Sequence, residues 1–255
     1  SAKQVIVQKM REAGRQSIYN KFSDYEDEII TGEVDRQDAR FLYVNLPGNQ
    51  EAVMAPNDQM PNERYHMGDR IKVLVNKVEN NAKGPQVFVS RTAADLVKRL
   101  FEQEVPEVYD GTVEIMSIAR EAGDRSKIAV YTHDTDLDPV GAMVGQRGAR
   151  VQSVVNELAG ENMDIVEWVE DEAQYIANAL NPSEVTDVIF DPANDRAVTV
   201  IVPDNQLSLA IGKKGQNARL AARLTGFKID IKSESEAAAS LDPTPAATAA
   251  DENEE

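Results

Sequence analysis

Two short glycine signatures carry the residues with the clearest chemistry. They are Gly145-Gln146-Arg147-Gly148 and Gly212-Lys213-Lys214-Gly215. In each, two glycines bracket two polar residues, and Arg147, Lys213 and Lys214 are cationic. Glycine lacks a Cβ, so another backbone can approach it closely. An amphipathic, helix-like run follows each signature, and a helix N-terminus offers free N–H groups and partial positive charge to a phosphate. Arg150 and Arg219 fall in the first turns of those runs. This combination suits gripping a phosphate backbone and does not suit bond-making chemistry.

A lone G-x-x-G is weak evidence, because many helix–helix turns contain glycine. Here the signature recurs at an offset of 212 − 145 = 67 residues, inside a longer frame. DPVGAMVGQRGARVQSVVNEL (138–158) parallels NQLSLAIGKKGQNARLAARL (205–224). Upstream, 124–131 mirrors 195–202 as a turn leading into a strand, and downstream 163–166 mirrors 229–232 as a final strand. Each copy reads strand, helix, G-x-x-G, helix, strand, preceded by a further helix and strand. A period this long marks a domain duplication, not a solenoid. Val151, Val154, Val155 and Leu158 follow i, i+3, i+4, i+7 spacing, so they belong to a core that holds the loop.

The rest of the chain must position these modules. Residues 1–25 read as a helix, with Ile6, Met10 and Ala13 on one face and Ile18, Phe22 and Tyr25 on another. Because the chain opens inside a helical pattern, SAKQVIVQKM, it reads as a fragment. Residues 26–92 hold five short β-rich runs separated by turn residues, which predicts a small closed barrel. Residues 233–255 carry seven acids and no Lys or Arg, and their composition predicts a disordered tail.

The formal net charge of −17 argues against nucleic acid when taken as an average. The local field at a site decides binding, however, and the loops are basic. The absence of cysteine removes disulfides, thiolate zinc sites and Cys nucleophiles, and fits a reducing compartment such as the cytoplasm. No apolar run is long enough to span a bilayer, and no Walker motif or H-E-x-x-H is present. Asp134, Asp136 and Asp138 have calcium-loop spacing, but Pro139 and Gly145 stand where glycine and glutamate are needed. His66 reads as a solvated loop residue, and Trp168 as packing against the neighbouring module. No catalytic residue, metal or cofactor is expected, and a monomer is.

The duplicated frame resembles two type II KH domains, whose G-x-x-G loop clamps about four nucleotides of single-stranded RNA. The barrel resembles the RNA-binding OB barrel of ribosomal protein S-one, through ITGEV (30–34), RYHMGDRIKVLV (64–75) and GPQVFVSRT (84–92). The ordered set resembles the NusA family of transcription elongation factors. The implied fold is multidomain: a helical connector (1–25), a five-stranded OB-fold β-barrel (26–92), two α+β KH domains (93–170 and 171–232) and the tail (233–255). The resemblance implies RNA contacts at Gly145, Gln146, Arg147, Gly148 and Arg150, at Gly212, Lys213, Lys214, Gly215, Asn217 and Arg219, and at Tyr43. Phe41 lies near Tyr43, and Met54 stands where many such barrels stack a histidine. The implied partners are single-stranded nascent RNA, RNA polymerase and other transcription factors, with no membrane. The implied role is control of bacterial elongation, pausing, termination and antitermination. The family's N-terminal polymerase-binding domain is matched only by its last helix and connector, in residues 1–25. Competing readings are an accessory region of an RNA-degrading phosphorylase and a ribosome-associated RNA-binding protein.

Overall fold

The computed structural model describes residues 2–241. The chain divides after Trp168 into two compact units.

The first unit opens with helix α1 (Ala2–Ser23), whose early turns stand in solvent with Val5, Ile6 and Met10 exposed. Only Phe22 is buried, and it enters the barrel core. The barrel strands are β1 (Ile29–Asp38), β2 (Phe41–Leu46), β3 (Gln50–Met54), β4 (Arg70–Asn81) and β5 (Gly84–Ser90). They close in the order β1-β2-β3-β5-β4, with only the β3–β5 pair parallel. Alternation sends Val34, Leu42, Val44, Ala52, Met54, Val87 and Val89 inward.

The first KH domain follows as α2 (Ala94–Glu104), α3 (Pro106–Tyr109), β6 (Val113–Glu121), β7 (Arg125–Thr132), α4 (Pro139–Val144), α5 (Ala149–Glu157) and β8 (Asn162–Glu167). Its sheet runs β6-β7-β8, the first pair antiparallel and the second parallel. The barrel and this domain share a core. On β4, Val73 and Val75 face the barrel interior, while Leu74 between them joins Leu96, Phe101, Ile128 and Leu158 of the KH domain. Two buried arginines complete the junction. Arg91, 3% exposed, donates from Nε and Nη2 to the Glu63 carboxylate at 2.6–3.1 Å. It also donates to the carbonyls of Lys72 (2.6 Å) and Glu157 (2.9 Å), and so ties β4 to the C-terminus of α5. Arg120 and Glu161, 2% and 0% exposed, pair at 3.0 Å, and Arg120 also donates to the Ala93 carbonyl. Burial lowers the Arg120 pKa, against the pull of Glu161. Trp168 packs edge-on against Tyr131 of its own unit, with ring centroids 5.2 Å apart.

The second unit repeats the frame: α6 (Glu172–Ala179), β9 (Asp187–Asp191), β10 (Asn194–Val202), α7 (Leu207–Ile211), α8 (Gln216–Thr225) and β11 (Lys228–Ser233). Its sheet is β11-β10-β9, again with one antiparallel and one parallel pair. Tyr175 lies in its core and donates to the Leu224 carbonyl at 3.2 Å, and burial pushes its phenol up to about 12. One expectation is corrected here. Residues 234–241, which composition assigns to the disordered tail, form helix α9 (Glu234–Leu241). Ser233 and Glu236 build a capping box: Glu236 N donates to Ser233 Oγ at 3.1 Å, and Ser233 N to the Glu236 carboxylate at 3.4 Å. The remainder of that tail, 242–255, lies outside the described residues.

Candidate nucleic-acid interface

The two G-x-x-G loops have the same backbone. Gly145 has φ 75°, ψ 176° and Gly212 has φ 79°, ψ 169°. Arg147 (φ 54°, ψ 28°) and Lys214 (φ 55°, ψ 27°) both adopt the left-handed conformation, as do Gly148 (φ 75°) and Gly215 (φ 73°). For a residue with a Cβ this conformation costs on the order of 1–2 kcal/mol. Such strain concentrates where backbone shape serves binding. The left-handed turn exposes Gln146, Arg147, Lys213 and Lys214 to solvent. Arg147, Lys213 and Lys214 make no salt bridge among the described residues. Their charge is therefore available to an incoming anion.

The glycines within a loop do different jobs. A Cβ on Gly145 would lie 2.6 Å from Arg150 Cγ, and one on Gly212 would lie 2.8 Å from Asn217 N and Cβ. The first glycine thus admits a residue from the next helix. A Cβ on Gly148 or Gly215 would meet nothing within 4 Å, so the second glycine is required for its positive φ alone.

Two residues expected to contact RNA make hydrogen bonds within the protein. Asn217 is 1% exposed, and its Nδ2 donates to the carbonyls of Leu180 (3.0 Å) and Ala210 (2.9 Å). Its Oδ1 is buried with no hydrogen-bond partner, at a cost of about 1–3 kcal/mol. The side chain is enclosed by α6 and α7 and does not face solvent. Arg150 is half-buried, and its Nη1 donates to Glu107 (2.8 Å) and to the Ala142 carbonyl (2.8 Å). Its charge is already engaged. Arg219 remains exposed and donates to the Lys214 carbonyl at 3.0 Å, so it borders the loop as expected.

The modules differ in charge. Lys213, Lys214, Arg219 and Arg223 are exposed on the second, whereas the 67-residue offset places Gln146, Arg147, Gln152 and Asn156 on the first. The second module thus presents more exposed cations around its loop than the first.

The barrel offers less. Across its outer face the register aligns Arg36, Tyr43, Val53, Phe88 and Lys77. The Arg36 guanidinium lies 4.1 Å from the Tyr43 ring centroid and is held by Glu51 at 2.6 Å. Lys77 Nζ lies 4.7 Å from the Phe88 centroid and pairs with Glu79 at 2.9 Å. Met54 is fully buried in the barrel core, so it does not take the place of a base-stacking histidine; the outward positions on this edge are Val53 and Ala55. Because one face of Tyr43 is occupied by a guanidinium that is itself neutralised, Tyr43→Ala is expected to change RNA affinity less than about twofold. A stacked base would contribute about 1–3 kcal/mol, so a tenfold loss in a titration would restore the ring as an RNA contact.

Comparison with known proteins follows this layout domain by domain. Residues 23–90 match the S1 RNA binding domain, 91–168 a NusA-like first KH domain and 172–239 a NusA-like second KH domain. A relative from Mycobacterium tuberculosis, the transcription termination/antitermination protein NusA, is 46% identical over 239 residues, covering 91% of this chain and 69% of that protein. The chain belongs to the NusA family. The NusA of Bacillus subtilis is 62% identical over 237 residues, covering 93% of this chain. That of Thermus thermophilus is 45% identical over 231 residues, covering 90% of this chain and 59% of that protein. This NusA-family chain spans 63% of the length of the Bacillus relative. The match to the second NusA-like KH domain runs to residue 239 and takes in most of α9.

Among the described residues of this NusA-family chain, no group of His, Cys, Asp and Glu could hold a metal ion, and no helix is long and apolar enough to cross a membrane.

Proposed function

We propose that this chain holds single-stranded nascent RNA on its two G-x-x-G loops and so regulates bacterial transcription elongation, pausing, termination and antitermination in the cytoplasm. RNA polymerase and other transcription factors are its partners in that role, and it acts as a monomer without catalysing a reaction. The observation that carries this reading is the pair of matching loops, which present three cations without salt-bridge partners among the described residues, on a chain of net charge −17. Tight left-handed turns at the start of α5 and α8 fit a sugar–phosphate backbone, and the family's names point to transcription.

Salt dependence tests it. Each phosphate neutralised on a single strand contributes about −0.7 to the slope of log affinity against log salt. Replacing Lys213 and Lys214 with glutamine is expected to flatten the slope by about 1.4, and Arg147→Gln by about 0.7. Titration of labelled unstructured RNA at several salt concentrations reads both values. Slopes unchanged by either variant would remove the loops from the RNA interface, and degradation of the probe would point to an enzyme instead.

A further inference from the structure

We propose that each G-x-x-G loop is held in its binding shape by a brace that does not touch RNA: Arg150 in the first module and Asn217 in the second. The inference rests on the loops being the RNA grip. Both braces lie two residues after the second glycine, at the same 67-residue offset as the loops. Both pass beneath the first glycine, where a Cβ would collide with them. Both tie the helix before the loop to an earlier helix of the same domain. Arg150 joins the Ala142 carbonyl of α4 to Glu107 of α3. Asn217 joins the Ala210 carbonyl of α7 to the Leu180 carbonyl that ends α6. Different side chains thus perform one task in the two copies: they satisfy a carbonyl in the last turns of α4 or α7 and fix the angle at which the loop leaves it. The first brace is a partly solvated ion pair, and the second is a buried amide.

The sign of one substitution separates a brace from a direct contact. Glu107→Ala removes an acid near the first loop and frees Arg150. If Arg150 gripped phosphate directly, affinity would rise. If Arg150 is a brace, affinity falls. The full chain carrying Lys213→Glu and Lys214→Glu, which silences the second loop, serves as the background. The probe is a fluorescein-labelled unstructured RNA of about 12 nucleotides, long enough for several clamped nucleotides. Adding Glu107→Ala is expected to weaken binding about three- to tenfold, adding Arg150→Ala about tenfold, and adding both no more than Arg150→Ala alone, because the two act through one interaction. Unchanged or tighter binding with Glu107→Ala overturns the proposal. Amide exchange supplies a readout independent of RNA: the Gly148 amide, which donates to the Gly145 carbonyl at 3.2 Å, is expected to exchange faster in the Glu107→Ala protein. Unchanged exchange also overturns the brace. A wild-type chain that binds no RNA but shows the faster exchange in the variant would sink the RNA reading and leave the brace intact. In the second module, Asn217→Leu keeps the volume and removes both ties. With Gln146→Glu and Arg147→Glu silencing the first loop, it is expected to weaken binding about tenfold while the melting temperature stays within a few degrees; unchanged affinity overturns the second brace.

Discussion

Replacing Gln146, Arg147, Lys213 and Lys214 together with aspartate is expected to lower RNA affinity at least a hundredfold and to leave thermal unfolding unchanged. All four side chains are exposed, so no core contact is lost. Positions 147 and 214 have φ near +55°, a region that aspartate tolerates better than most residues. A hydrogen bond to a charged group contributes about 1.5–3 kcal/mol. Losing two at the lower figure gives about 3 kcal/mol, already more than a hundredfold, and four new carboxylates repel the phosphates besides. Aspartate at the four glycines would be a poorer test, because a Cβ at Gly145 or Gly212 displaces the neighbouring Arg150 or Asn217 and confounds binding with loop shape. Fluorescence anisotropy beside a melting curve measures both quantities. A folded quadruple variant that loses less than tenfold would contradict the proposed grip.

The largest stability effect is expected at Glu161. Its buried carboxylate accepts from Arg120 Nε and Nη2, from Gly123 N at 2.7 Å and from Ser126 Oγ at 2.9 Å. Glu161→Ala leaves the Arg120 guanidinium, 2% exposed, without its paired carboxylate, and the nearby Glu63 is already bonded to Arg91. Breaking a buried pair in this way costs about 3–5 kcal/mol. By contrast, Glu79→Ala, which breaks an ion pair between half-exposed side chains, is expected to cost at most about 1 kcal/mol. Urea unfolding followed by Trp168 fluorescence reports on the 1–168 unit, and a loss below 1 kcal/mol at Glu161 would show that water or a rearranged partner satisfies Arg120.

What could be read from sequence follows the range of the forces involved. The barrel strands and the KH frame rest on local alternation and on a repeat, and both are visible in one dimension. The inward turn of Met54 was within reach too, since it alternates with Val53 and pairs in register with the buried Leu42. The α9 helix also had a local signal, the Ser233-x-x-Glu236 capping box, which an acid-rich composition obscures. Arg150 and Asn217 are another matter. Beside a glycine loop they look like ligands, and only partners 43 and 37 residues away show that Arg150 is tied to Glu107 and Asn217 is enclosed. Arg91 and Arg120 escape notice for the same reason. In a chain that reads as binding RNA an arginine looks like a surface cation, and its burial depends on Glu63 and Glu161, 28 and 41 residues distant.

The fused junction between the barrel and the first KH domain has a mechanical consequence. With Leu74 and Met60 in the KH core and Arg91 bonded to both parts, the first loop cannot swing relative to the barrel without exposing buried charge. Helix α1 is seated in the barrel by Phe22, and its turns before Gly14 project about 20 Å into solvent at 1.5 Å per residue. The shared core and the Arg91 bonds couple the first G-x-x-G to the barrel, not to the solvent-exposed turns of α1. If the proposed grip at Arg147 holds, a strand seated there keeps a set spacing from the barrel surface.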